Sequence, residues 1–157
     1  MRAAIRAAKR GLQKGEVPIG AVVVYEDKIV SSGYNRRAQL QLASAHAEVM
    51  AIDRACKKFH SWRLPTGCEL FVTLEPCPMC MGLALNARVD KIYFGAYEQK
   101  GRSLTDALAD ANLLNHKTKV EGGVLEEECS SLLTGFFSSL RQKAKQEKSD
   151  GEKESLS

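Results

Sequence analysis

Apolar positions recur along this chain with two periods, and their alternation predicts strands interleaved with helices. Ile5, Ala8 and Leu12 fall on one helical face, and Gly15 stands where such a helix would stop. Residues 19–25, Ile-Gly-Ala-Val-Val-Val-Tyr, are β-branched and nearly all apolar, and Glu26-Asp27 then turns the chain into Lys28-Ile29-Val30. A hairpin is predicted. After a polar loop over 35–41, Ala45, Val49, Ile52 and Cys56 return to helical spacing, with Ser44 as the expected N-cap. Glu69 to Leu74 reads as a buried strand. Pro76-Cys77-Pro78 forces a turn, after which a short helix runs to Asn86, since proline is tolerated in a first helical turn.

Downstream, Lys91 to Phe94 predicts another strand, closed by Gly95; residues 103–114 read as helix and Thr118 to Val120 as a short strand. Leu125, Cys129, Leu132, Leu133, Phe136 and Leu140 then form an amphipathic stripe, expected to be chiefly core. This order predicts an α/β domain with helices layered on a central sheet. The domain is expected to span residues 1–146, and the polar segment 147–157 to be a disordered tail.

Composition narrows the class. The 157 residues suffice for one domain and one core, and 44% hydrophobic with 27% charged residues is ordinary for a globular protein. No apolar run is long enough to span a bilayer, and Arg2, Arg6, Lys9 and Arg10 interrupt the start, so neither a membrane nor a secretory segment is expected. A transit peptide is disfavoured because the first helix leads straight into the first strand. A cytoplasmic location follows. The net charge of +4 is uneven: Arg2, Arg6, Lys9, Arg10 and Lys14 form one basic cluster, and Arg141, Lys143, Lys145 and Lys148 another. Such clusters can meet phosphates or be plain solvated helix faces. Five cysteines, an odd number, argue for reduced thiols rather than a disulfide framework. Cys56, Cys68 and Cys129 sit in apolar patterns and read as small buried hydrophobes.

The remaining pair carries chemistry. Ala45-His46-Ala47-Glu48 opens one predicted helix and Glu75-Pro76-Cys77-Pro78-Met79-Cys80 opens another. Cysteines three apart on a first helical turn share a face, and the positive end of the helix dipole favours their thiolates. Catalytic zinc takes three protein ligands and keeps one position for water. His46, Cys77 and Cys80 are those three. A structural zinc site would want a second Cys-x-x-Cys or a Cys-x-x-His, and none is present. His-x-Glu followed by Pro-Cys-x-x-Cys is the pattern of zinc nucleobase deaminases, in which the glutamate carries protons and does not ligate. Glu48 is thus the expected general acid and base of a hydrolytic deamination. His60 and His116 are isolated and have no assigned role.

Further segments occur in order: Val17-Pro18-Ile19-Gly20-Ala21, Gly33-Tyr34-Asn35-Arg36, Thr73-Leu74-Glu75-Pro76-Cys77-Pro78-Met79-Cys80 and Phe94-Gly95-Ala96. With His46-Ala47-Glu48 they resemble the bacterial tRNA-specific adenosine deaminases, over about Met1 to Arg141. The resemblance implies a cytidine deaminase-like three-layer α/β/α sandwich with a mixed sheet of about five strands. It also implies one Zn2+ per subunit, a homodimer, and conversion of adenosine to inosine at the wobble position of a tRNA anticodon arm. By the same similarity Asn35 would contact the flipped adenine, and Phe137 with Arg141 the anticodon arm. Glu98 would stand near the ribose, where the family pattern leads one to expect aspartate. The Gly101–Asn115 stretch is shorter than that pattern. From their types alone, Asn35 could cap a turn, Phe137 could be core and Arg141 solvated. Two other readings stay open: a deaminase of free guanine or of cytosine or cytidine, and a noncatalytic zinc-stabilised RNA-binding module. The first lacks a use for the basic termini, and the second for Glu48.

Overall fold

The computed structural model describes residues 1–98, Leu108 and 116–154, with side chains as far as Lys148. The expected helix over 103–114 and the Gly101–Asn115 comparison lie outside the described residues apart from Leu108, which packs on the main core. The described elements are α1 (Arg2–Gln13), β1 (Gly20–Tyr25), β2 (Lys28–Tyr34), α2 (Arg37–Leu40), α3 (Ala47–Phe59), β3 (Glu69–Leu74), α4 (Pro78–Asn86), β4 (Lys91–Ala96), β5 (Lys119–Glu121) and α5 (Glu126–Glu154).

The five strands form one mixed sheet in the order β2-β1-β3-β4-β5, antiparallel on the β2-β1-β3 side and parallel through β3-β4-β5. The hairpin turn is the expected Glu26-Asp27, and both residues have positive φ (48° and 59°), as a two-residue turn matched to strand twist requires. Gly20 and Gly33 lie on adjacent strands with their missing side chains aimed at opposite faces, Gly20 at the backbone of α1 and Gly33 at that of α3. Their absence of a Cβ lets both helices sit directly on the sheet.

The larger core lies on the α3 and α4 side, where Ala51, Ile52, Met81 and Ala84 pack on Val23, Leu70 and Val72. On the other face Ile5 of α1 meets Ala96 and Cys129. This is the three-layer α/β/α sandwich, and α3 and α4 arrive side by side on one face.

Several expectations change. The 35–41 loop contains α2, and β4 runs through Gly95 to Ala96. The N-cap of α3 is His46 and not Ser44, because Ala45 N–H bonds to Leu42 and His46 N–H to Ser44, which spends both residues in a turn. The last helix is not chiefly core. Cys129 is buried, but Leu140 is 46% and Phe137 41% exposed. At about 1.5 Å per residue, α5 is far longer than the sheet beneath it, and among the described residues its first turns are what packs there, Leu132 and Leu133 with Cys129. Its backbone stays helical to Glu154, into the segment set apart on composition from residue 147, where Lys and Glu are good helix formers. No helix among the described residues is long and apolar enough to cross a membrane.

Candidate active site and metal centre

Two helix starts converge at the ends of β2 and β3. His46 and Cys77 occupy N-cap positions of α3 and α4, both with extended backbone (φ −75°, ψ 156° and φ −70°, ψ 166°), and neither side chain caps its own helix. Each is therefore free to turn toward the other. Cys80 follows one turn into α4, on the same face as Cys77. His46 Nδ1 lies 3.6 Å from Cys77 Sγ and 3.5 Å from Cys80 Sγ, and the three ligand atoms are all within 4.8 Å of one another. Zn–S bonds of about 2.3 Å and a Zn–N bond of about 2.0 Å, meeting at a tetrahedral angle, span such N···S separations. The donor set is soft and nitrogenous, and both helix dipoles present their positive ends to the thiolates. The residues fit zinc.

The protonation pattern of the group has the same cause. A hydrogen bond from the Cys80 thiol, with a second from His46, lowers Cys77 to about 3. Cys80, holding the proton of the pair in a buried setting, is pushed up. The hydrogen bond with Cys77 also raises His46 against the effect of its burial. Protons on Cys80 and His46 thus hold the three donor atoms together around the Cys77 thiolate, and a divalent cation bound there would compete with them.

Glu48 stands in the first turn of α3, 4% exposed, outside the three-donor group. Burial raises its carboxyl to about 7, opposed by hydrogen bonds from its own backbone N–H and from Cys80 and by the charge of His46. A carboxyl poised near neutrality can both take and give a proton.

A cavity of about 750 Å³ opens over this group. His46, Glu48 and Cys77 are at one part of its lining, Asn35 and Glu98 are on its walls, and Phe137 and Arg141 reach it from α5. Cys80 lies beneath, fully buried. The structure therefore gathers all the residues singled out from the sequence around one space. Glu98 is held there through its backbone N–H, which donates to Glu75 Oε2 at 3.1 Å. Phe137 stands edge-on to Phe136, with ring centroids 5.3 Å apart, and Arg141 donates to Ser138 Oγ at 3.0 Å.

Sequence reasoning passed over Arg37, Glu75 and Tyr97, which also line the cavity, and Glu16, which sits behind Asn35. Glu75 is buried beside the Cys-x-x-Cys turn, and its position next to Pro76-Cys77 was a usable signal. Glu16 offered a weaker one, an acid between Gly15 and an apolar strand. Its partners become visible only in three dimensions.

The model of the cytidine and deoxycytidylate deaminase zinc-binding region matches residues 1–96. A tRNA-specific adenosine deaminase of Bacillus subtilis (strain 168) is 47% identical over 148 residues, which cover 92% of this chain and 91% of that protein. One from Aquifex aeolicus (strain VF5) is 42% identical over 143 residues, covering 90% and 93%. Among solved structures, one from biochemical and structural studies of A-to-I editing by tRNA:A34 deaminases superposes with a TM-score of 0.79. It is 35% identical, and the match covers 85% of this chain and 97% of that one. Zinc is the cofactor such a chain takes, one ion per subunit, in keeping with the matched zinc-binding region and the converging His/Cys/Cys group. The likeness runs the length of the described fold and includes the zinc-binding segment, and this chain belongs to the tRNA-specific adenosine deaminases of the cytidine and deoxycytidylate deaminase family.

Proposed function

We propose that this protein hydrolytically deaminates adenosine to inosine at the wobble position, A34, of a tRNA anticodon, with His46, Cys77 and Cys80 as the zinc ligands and Glu48 as proton carrier. The observation that supports it most is the cavity itself: it joins a three-donor metal group to Glu48 and opens toward an exposed aromatic ring and a cation on α5. A free base needs only the inner part of such a space. Unstacked RNA bases stack on aromatic and guanidinium planes, and phosphates attract cations, so Phe137, Arg37 and Arg141 suit a base still attached to its strand.

Zinc, when bound, supplies acidified water, lowering its pKa from about 15.7 to about 7. Glu48 takes the two protons of the water in turn at its buried carboxylate, passing one to the adenine N1 and the other to the departing amine. Water is consumed and ammonia released, leaving inosine. Asn35 reads an edge of the flipped adenosine, and Glu98 lies toward the ribose.

A homodimer acting in the cytoplasm belongs to the same reading. Helix α4 is apolar nearly all round, yet Met79 remains 42% exposed on it, which suits a helix packed on a second copy. A sedimentation mass of a single chain would remove that part of the proposal.

Purified protein is expected to convert the wobble adenosine of a susceptible tRNA to inosine, read as an A-to-G change after reverse transcription. Turnover of free guanine or cytidine with tRNA left untouched would overturn the substrate assignment. Arg141→Ala should weaken tRNA binding and reduce the slope of log affinity against log salt by about 1. An unchanged slope would return Arg141 to a solvated helix face.

A further inference from the structure

Behind Asn35, on the side away from the metal-type donors, lies a carboxylate that the mechanism above does not use. Glu16 is 2% exposed and Asn35 5%. Glu16 Oε2 accepts from Asn35 Nδ2 and from the Ala38 N–H, both at 3.3 Å, while Oε1 accepts from the Gln39 N–H at 2.6 Å. Ala38 and Gln39 are the second and third residues of α2. Their N–H groups have no partner within a helix start, so Glu16 caps α2 from a remote part of the chain.

A carboxylate receiving three hydrogens accepts only. Asn35 must then turn the donor end of its amide to Glu16. Asn35 Oδ1 takes no hydrogen from any described residue, and it is not a sealed, unpartnered atom. Asn35 lines the cavity together with Glu48. We infer that Glu16 is a positioning residue for the substrate: it locks the Asn35 amide so that the cavity wall offers a hydrogen-bond acceptor, suited to an N–H or O–H of the bound nucleoside. Through α2 it also fixes Arg37 at the cavity. The inference rests on the proposal that a nucleoside occupies this cavity, and it adds a determinant of which edge is read.

The test compares three variants of the zinc-loaded protein on tRNA. Glu16→Gln keeps the shape but cannot accept on both sides. With its oxygen toward Asn35 and Ala38, its NH2 meets the Gln39 N–H and loosens α2 with Arg37; with its NH2 toward them, Asn35 must reverse and show Nδ2 to the cavity. This variant is expected to lose kcat/KM by about tenfold or more, the scale set by one mispaired buried hydrogen bond, with zinc content and Tm retained. Asn35→Asp alone sets two carboxylates against each other and is expected to lose at least as much. Combining E16Q with N35D lets the new amide donate to the new carboxylate, whose second oxygen faces the cavity as an acceptor. The pair should recover activity well above N35D alone. Unchanged kcat/KM in E16Q, or a double variant no better than N35D, would overturn the inference. Should E16Q alone melt early or lose zinc, the ratio of the double variant to N35D still decides. Wild-type protein that ignores tRNA but deaminates another nucleobase would fail only the substrate assignment, and the same ratio would then be read on that nucleobase.

Discussion

Glu48→Ala is expected to keep its zinc and lose about 100-fold or more in turnover, the low end of what a positioned general acid and base contributes. The expectation follows from placement. Glu48 is buried at the cavity beside His46 and Cys77, yet it is not among the three donors whose atoms converge. Removing it takes away the group that moves protons while leaving the two thiols and the imidazole in place. Metal analysis alongside single-turnover deamination of tRNA separates the two roles. A variant that sheds zinc in proportion to its lost activity, with full turnover per remaining zinc, would show that Glu48 serves the metal site and not the proton transfers. Glu48→Gln sharpens the comparison, since it keeps the shape of the buried side chain and removes only its capacity to exchange a proton.

A single methyl group at Gly33 should do comparable damage by a different route. A Cβ there would meet Ala47 O at 2.5 Å, Ala51 N at 2.7 Å and Met50 Cβ at 2.7 Å. Two of these are backbone atoms of α3, which cannot rotate away as a side chain tip can. Helix and sheet must part, at a cost of about 1–3 kcal/mol or more for overpacking of this kind. For a chain of this size that corresponds to a fall in Tm of roughly 2–12 °C. His46 and Glu48 ride on the start of α3, so Gly33→Ala is also expected to weaken zinc binding. Gly135→Ala is the control. Among the described residues nothing lies within 4 Å of its Cβ position, and alanine is about 1 kcal/mol better than glycine inside a helix, so this change should raise or preserve Tm. Wild-type melting and zinc affinity in Gly33→Ala would refute the close approach of α3 to the sheet.

Both predictions depend on the same architectural fact. The chemistry sits where two helices begin, and each helix is held at its place by contacts that small residues permit. Ala47 and Ala51 on α3, with Gly33 beneath them, let the helix start reach the strand ends. On α4, Met81 and Ala84 do the packing while Cys77 and Cys80 face the site. The ligating residues stand at the start of this short helix and the packing residues continue the same face one turn further on, so the metal site and the core are built along one stripe.

Much of this could be read from the residues in order. Local patterns carry local structure: the β-branched run at 19–25, the Glu26-Asp27 turn and the Pro76-Cys77-Pro78 helix start each specify their own backbone through sterics and proline geometry. The His-x-Glu and Pro-Cys-x-x-Cys segments carried the metal chemistry for the same reason, since donor type and spacing on a first helical turn are local properties. What the sequence could not decide are relations between segments distant along the chain. The helix in the 35–41 loop escaped because its cap is Glu16, which lies outside that segment and reaches it only after folding. The stripe on α5 reads as core because periodicity reports a capacity for burial; how much surface is available to cover it depends on the length of the sheet below. Ser44 is a good N-cap by type, yet a turn at Leu42–Ala45 passed that position to His46 and aimed the imidazole at the cysteines. The residues by themselves determined what the site is made of, because donor atoms belong to side chains. The tertiary structure alone decided how those donors face one another and what stands behind Asn35, because hydrogen bonds and steric contacts are set by proximity in space rather than along the chain.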